Sequence, residues 1–323
     1  MTVLLLITGL VLILAGANYL TDGAAAVAQR FRVPEFIIGL TIVAVGTSTP
    51  ELVVSVLSAI QGNSDVAVGN VVGSNLFNVF VILGICALIA PLALTPGNIR
   101  RDIPIGVGAS LLLLLATSDR VLHLGAVDRI GRAEGAVMVV LYILLMVYTV
   151  RQSTRENRLA APADEPSAPQ EKQLSLWAAV LFIAGGLAGL VFGGDLFLKH
   201  ATELARSLGV SESLIAITLV AGGTSLPELA SSVVSLLKGK SEMALGNVVG
   251  PNIANILLIL GVSAAIHPLS LGGITAGDIW MVLLSSVLLF LSAFTFRRRT
   301  LDRWEGILFL VIYIGYIWML IRH

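Results

Sequence analysis

Residues 39–84 read GLTIVAVGTSTPELVVSVLSAIQGNSDVAVGNVVGSNLFNVFVILG, and residues 216–261 read AITLVAGGTSLPELASSVVSLLKGKSEMALGNVVGPNIANILLILG. The two stretches align at a constant offset of 177 without a gap, and 25 of their 46 positions are identical. Unrelated apolar segments share many Leu, Val and Ala. They do not share GTS-x-PEL and GNVVG-x-N-x-x-N at one fixed spacing. The register extends weakly backwards: Gly9, Gly16 and Val33 fall on Gly186, Gly193 and Val210. The whole first half therefore reads as duplicated, and the repeat decides the fold.

The repeated unit belongs in a membrane. The chain is 56% hydrophobic and 12% charged, with a mean hydropathy of +0.94; soluble domains are about 25% charged. The formal net charge is zero, so no basic excess points to nucleic acid. A single cysteine, Cys86, excludes a disulfide framework and a cysteine-rich metal cluster. No basic region precedes the first apolar run and no cleavage site follows it. That run reads as a retained transmembrane helix and not a signal peptide.

A helix needs roughly 20 apolar residues to cross the hydrocarbon core. Long uncharged stretches cover residues 2–21, 66–99, 173–194 and 243–277. The second and fourth each hold a helix plus an apolar loop, marked by Pro91 and Pro96 and by Pro268. Shorter runs at 103–118, 135–150, 279–296 and 306–321 span with slight tilt or snorkelling flanks. Residues 36–60 and 213–237 are apolar except for one glutamate each. The expected fold is an all-α integral membrane protein of ten transmembrane helices. The polar, proline-containing segment 151–172 lacks apolar periodicity and reads as a linker. It divides the chain into a five-helix unit at 1–150, a linker at 151–175 and a second five-helix unit at 176–323.

An odd number of helices per unit makes the second enter from the opposite side. The positive-inside rule tests this. With the N-terminus outside, the inner loops hold 14 Lys and Arg residues and the outer side 6; the opposite orientation reverses the ratio. The linker is then cytoplasmic. Two inverted repeats with helices broken at the midplane are the architecture of many secondary transporters.

Glu51 and Glu228 lie inside apolar helices at equivalent positions. A carboxylate at the bilayer centre costs about 2.5–3.5 kcal/mol on insertion scales. Neither repeat offers a Lys or Arg within its apolar helices, so a structural ion pair lacks its partner. The functional reading makes a transported cation that partner. Gly46 and Pro50, and likewise Gly223 and Pro227, interrupt the helices just before the glutamates. Such breaks free backbone carbonyls, here near Ala44, Val45, Ala221 and Gly222, and are tolerated at membrane depth only beside a cavity or inside protein. The hydroxyls of Thr47, Ser48, Thr224 and Ser225 are further candidate ligands, or helix caps, or both. In the second motif, Asn78 and Asn255 are the favoured amide ligands. Asn70, Asn75, Asn247 and Asn252 are favoured as interhelical hydrogen-bonding residues. These ligands are hard oxygens, which fits Ca2+ or Na+ better than zinc or copper. Two ionised glutamates are neutralised by one Ca2+ or by two Na+.

With GTSTPEL at 46–52, GTSLPEL at 223–229, GNVVGSN at 69–75 and GNVVGPN at 246–252, the chain resembles the calcium/cation antiporter superfamily. The branch it resembles is the bacterial and archaeal sodium/calcium exchangers, and the likeness spans essentially the whole chain. The resemblance implies antiport of Ca2+ against Na+ by alternating access, at the inner membrane of a prokaryote, with no resident cofactor. It implies Ca2+ ligation by Glu51 and Glu228, with oxygens from Thr47 and Thr224 and the amide positions Asn78 and Asn255. Flanking sodium sites are implied at Ser48, Ser74 and Ser225 and at backbone carbonyls near Ala44 and Ala221. The family's transport cycle slides the first helix of each half, here near 3–20 and 176–198, across a fixed core. Two positions depart from the pattern. Many exchangers carry Asp where Asn255 stands and Ser where Pro251 stands. The site therefore has two carboxylates, and one outer sodium site lacks a hydroxyl.

Ca2+/H+ exchange is the close alternative, because a carboxylate in apolar surroundings favours its protonated form; a role for K+ is also open. A channel fits less well with a pseudo-twofold central cluster. For an intramembrane enzyme there is neither HExxH nor a serine–histidine arrangement. A monomer suffices for all of these readings of transport. A cysteine placed in the linker is expected to react with a membrane-impermeant thiol reagent only from the inside; labelling from outside overturns the N-out orientation.

Overall fold

Inside a bilayer each backbone N–H and C=O must find its partner within the protein, so apolar runs of this length become helices. The computed structural model describes residues 1–31, 33–118, 128–160, 174–209, 221–295 and 299–322. The first half holds α1 (Thr2–Phe31), α2 (Glu35–Thr47), α3 (Thr49–Ile60), α4 (Ser64–Ile89), α5 (Ile103–Ala116) and α6 (Arg132–Ala160). The second half holds α7 (Leu176–Ser207), α8 (Leu226–Leu237), α9 (Ser241–Ile266), α10 (Ala276–Ser292) and α11 (Arg303–Arg322). One turn at Ala221–Gly223 precedes α8; the rest of the helix expected before it, at 213–220, lies outside the described residues.

Helical segments stand at all ten expected positions. Among the described residues six are long and apolar enough to cross a membrane, or seven with α2 and α3 taken as one bent span. Helices α5, α8 and α10 are shorter. Two further differences have local causes. Helix α6 runs past residue 150, where the linker was expected to start, to Ala160. Residues 151–160, RQSTRENRLA, contain no Gly or Pro and several strong helix formers, so the helix propagates beyond its apolar part. The remaining linker at 161–173 lies outside the described residues. The apolar loops also carry two short antiparallel ladders, Leu92–Ala93 with Thr300–Leu301 and Arg129–Ile130 with Leu269–Ser270. Each joins one half to the other.

The packing inverts the halves. A Cβ added to Gly9 would lie 2.7 Å from Phe197 N, one on Gly16 2.7 Å from Gly186 O, and one on Gly23 2.8 Å from Ala179 O. Positions ascend on α1 as they descend on α7. These repeat-equivalent helices therefore run antiparallel. At the centre, 67% of the apolar stretch of α4 and 78% of that of α9 is buried, against 28% or less for α1, α6, α7 and α11. The two helices carrying the GNVVG motifs thus lie at the core, and α1, α6, α7 and α11 lie at its periphery.

At one end the halves also meet through ion pairs, Lys238–Asp22 at 2.6 Å and Lys240–Glu35 at 2.7 Å. Pro34, Arg100, Ser153 and Glu242 line a common cavity there. Loops that charge counting assigns to one side of the membrane do share an end of the bundle.

The repeat-equivalent glycines Gly73 and Gly250 differ in surroundings. A Cβ on Gly250 would fall 2.6 Å from Leu40 O and 2.7 Å from the Ala44 side chain; nothing lies within 4 Å of one on Gly73. Gly250→Ala is expected to destabilise the protein by about 1–3 kcal/mol through overpacking. Gly73→Ala is expected to be neutral or to stabilise by up to about 1 kcal/mol through helix propensity. Thermal unfolding in detergent checks both; equal effects overturn the close contact of α2 with α9.

Candidate cation site

The site begins at the helix breaks. Helix α2 contains a π-helical turn at Gly39–Val43 and ends at Thr47; α3 starts at Thr49 after a bend of 48°. Pro50 occupies the first turn of α3, and Pro227 the first turn of α8, where an absent N–H leaves no bond unmade. Glu51 and Glu228 follow at once. Each therefore sits in the first turn of a helix, where the dipole favours a carboxylate, and each is 1% exposed. Neither forms an ion pair with a Lys, Arg or His among the described residues.

Each glutamate is instead approached by the opposite half. The Ser48 hydroxyl donates to Glu228 Oε1 at 2.9 Å, and the Ser225 hydroxyl donates to Glu51 Oε1 at 3.4 Å. Thr224 and Thr47 face the same two carboxylates. Ser48 and Ser225 stand at the N-cap positions of α3 and α8, yet neither side chain caps its own helix. The capping alternative is thus replaced by a bond across the interface. The carbonyls expected to be freed near Ala44 and Val45 are engaged: Ala44 O accepts from Ser48 N at 3.0 Å and Thr47 Oγ1 at 3.3 Å, and Val45 O accepts from Thr49 Oγ1 at 3.2 Å. The reason is that α2 stays helical to Thr47, so the break comes after these residues. Ala221 opens the short turn before α8.

The amides form the second layer. Asn78 lies in a π-helical segment of α4, Phe77–Leu83, and Asn255 starts another in α9, Asn255–Leu260. Such segments are frequent at functional sites. Asn78 Nδ2 donates to Asn252 Oδ1 and Asn255 Nδ2 donates to Asn75 Oδ1, both at 3.0 Å. Asn75 and Asn252 in turn donate to each other's backbone carbonyls at 3.3 Å. Four amides thus lock across the two halves, and the nitrogen end of Asn78 and of Asn255 is taken. Asn70 Nδ2 bonds Glu51 O and Ser55 Oγ, and Asn247 Nδ2 bonds Ser231 Oγ, which ties α3 to α4 and α8 to α9.

What remains is a set of oxygens. Glu51 Oε2, Glu228 Oε2, Asn78 Oδ1 and Asn255 Oδ1 are all buried and lack a hydrogen-bond partner, as does Ser74 Oγ. An unsatisfied buried polar atom costs about 1–3 kcal/mol, and more when charged. Two carboxylate and two amide oxygens, contributed equally by both halves, are thus left without a donor, as is Asn247 Oδ1, and acceptor-only oxygens of this kind suit a hard cation. Sequence reasoning names all four residues. It misses the π-helical segments and the crossed serine bonds, for which no local sequence pattern exists.

The sodium/calcium exchanger protein family matches residues 1–151 and 178–322. The chain belongs to that family. It is 37% identical to CaxA of Alkalimonas amylolytica, provisionally named an antiporter, over 97% of both chains. It is 31% identical to the sodium/calcium exchanger MaX1 of Methanosarcina acetivorans, again over 97% of both. Its fold matches the solved sodium-calcium exchanger NCX_Mj with a TM-score of 0.82 at 29% identity, over 99% of this chain and 98% of that one. That close likeness fixes the fold as a membrane exchanger's, and the chain is an integral, multi-pass membrane protein.

The amide lock gives Asn75 and Asn252 a positioning role. Asn75→Ala and Asn252→Ala are each expected to weaken Ca2+ binding by about 10-fold or more, in the range of other outer-layer ligand supports, and to cost about 1–3 kcal/mol of stability through the buried amide each leaves unpaired. Equilibrium binding of radioactive Ca2+ to purified protein checks this, and unchanged affinity in both overturns the role.

Proposed function

We propose that this protein is a secondary active antiporter that exchanges Ca2+ for Na+ by alternating access. Ions bind between the halves at Glu51 and Glu228. The observation that carries this reading is the set of four buried, unpartnered oxygens on Glu51, Glu228, Asn78 and Asn255, two from each inverted half. Family membership supports it independently.

The residues divide the work as follows. Glu51 and Glu228 supply charge −2, which one Ca2+ or two Na+ neutralise, so the two loads compete for the same oxygens. Asn78 and Asn255 add neutral oxygens without changing that charge. Thr47, Ser48, Thr224 and Ser225 hold the carboxylates and offer hydroxyl oxygen to Na+. Ser74 Oγ serves a flanking Na+, whereas its repeat equivalent, Pro251, has no hydroxyl to offer. The carbonyls near Ala44 and Ala221 complete the sodium sites when the helix break opens. Inverted halves exchange roles across the membrane, which is the geometry alternating access requires. We place the N-terminus outside and the linker in the cytoplasm from the charge distribution of the loops, and the protein at a prokaryotic inner membrane from its likeness to the bacterial and archaeal exchangers.

Proton coupling is the second reading, favoured by one observation: both amide positions are Asn, so only two carboxylates carry the charge. The two readings separate in proteoliposomes. Loaded with Na+ and diluted into Na+-free buffer, the vesicles are expected to take up radioactive Ca2+, while Glu51→Gln and Glu228→Gln reduce uptake to background. Uptake that ignores sodium but follows an inside-acid pH gradient assigns the counter-ion to H+.

A further inference from the structure

Away from the cation site, a cavity of about 680 Å3 opens at one end of the bundle, between the start of α5 and the end of α10. Its wall is apolar, with Ile99, Pro104, Phe290 and Phe294, and its rim carries Arg100 and Arg299. The next cation, Arg101, is consumed by the protein: it pairs with Asp102 at 2.8 Å and also bonds Ser153. Arg100 and Arg299 have no acidic partner among the described residues. Their charge is available to something outside the chain.

The backbone at Arg299 supports the same conclusion. Its φ is +61°, a conformation that favours glycine. Both of its backbone groups are held, the N–H by Ala293 O at 2.9 Å and the C=O by Leu94 N at 2.8 Å. The chain thus keeps a long cationic side chain at a position where glycine fits better. Beside it, Phe294 is 58% exposed and stacks edge-on against Phe290 at 5.2 Å. Guanidinium groups with no acidic partner among the described residues, beside an exposed aromatic ring where an apolar helix ends, match the two parts of a lipid. Guanidinium groups bind phosphate through paired, directed hydrogen bonds.

We propose that this cavity binds one anionic phospholipid, its phosphate between Arg100 and Arg299 and an acyl chain along Phe290 and Phe294. A zwitterionic lipid would bring its own cation toward the two arginines and is disfavoured. The test titrates delipidated protein in detergent with phosphatidylglycerol or with phosphatidylcholine of the same chains, counting bound lipid by native mass spectrometry. Phosphatidylglycerol is expected to bind about 10-fold tighter or more, given the attraction of each basic residue near an anionic headgroup. The double variant Arg100→Gln with Arg299→Gln is expected to lose that preference while its weak phosphatidylcholine binding stays. Arg299→Gly removes the side chain but suits the backbone, so it folds at least as well as the parent and is expected to lose part of the preference. Equal binding of the two lipids by the parent, or a preference that survives in both variants, overturns the proposal. Displacement of phosphatidylglycerol by inorganic phosphate at equal concentration also overturns it, in favour of a simple anion pocket.

Discussion

Two carboxylates sit in the interior of a membrane protein with no cation paired to them among the described residues, and the rest of the structure is arranged around that fact. Each costs about 2.5–3.5 kcal/mol to place in the bilayer. A charge-assisted hydrogen bond returns about 1.5–3 kcal/mol, and a helix N-terminus about 0.3–2 kcal/mol. Glu51 and Glu228 receive both, from the crossed serines and from the first turns of α3 and α8. These terms hold Oε1 of each carboxylate and leave Oε2 without a partner. The helix breaks, the two prolines and the crossed hydroxyls hold one oxygen of each glutamate without saturating the carboxylate. A site saturated by the protein's own donors would have nothing left for an ion.

The amide lock solves a related problem. An asparagine offers an oxygen or an amine with almost the same shape, and only the oxygen suits a cation. Fixing the amine end of Asn78 on Asn252, and that of Asn255 on Asn75, leaves the oxygen end unengaged. Because each bond crosses between halves, the placing of these two oxygens depends on the halves being docked. The same bonds bear on residue 255. A carboxylate there would set its oxygen against Asn75 Oδ1, whose own amine is already bonded to Asn252 O. Asn255 and Asn75 are thus matched as donor and acceptor. Nearby, Pro251 stands inside α9 and has no N–H to give to the carbonyl of Asn247. The second repeat therefore loses the hydroxyl found at Ser74 but frees a backbone oxygen one turn earlier.

Much of this is legible in the sequence, for a physical reason: membrane burial makes polar residues conspicuous. Glu51, Glu228, Asn78 and Asn255 stand out from apolar runs, and the constant offset pairs them by position alone. Inversion follows from an odd helix count, and the antiparallel contact of α1 with α7 bears it out. The unread features are those set by long-range contact. Nothing local to Ser48 says that it bonds Glu228 and not its own helix. The π-helical turns add no composition signal. The extension of α6 to Ala160 pits helix propensity against polarity, and polarity alone misplaces the boundary. Crossing length is equally hard to read, because α5, α8 and α10 are apolar enough but short.

The duplication also shows what is not duplicated. Leu92 and Leu269 are repeat equivalents, and their ladder partners Leu301 and Ile130 are equivalents in turn. Counting back along each strand pairs Arg299 with Asp128. The turn Thr95–Asn98 is bonded in the same way as the turn Thr275–Asp278, Thr N–H to the side-chain oxygen three residues on. That match pairs Arg100 with Trp280. The cationic rim at one end of the bundle thus corresponds to an acid and an exposed indole at the other. Repeated residues build the candidate cation site, which in the proposed exchange works from both sides of the membrane. Unrepeated charges distinguish the two ends of the bundle. An inverted repeat alone would have no preferred orientation. The difference between Arg100 and Trp280, and between Arg299 and Asp128, is the kind of asymmetry that gives it one.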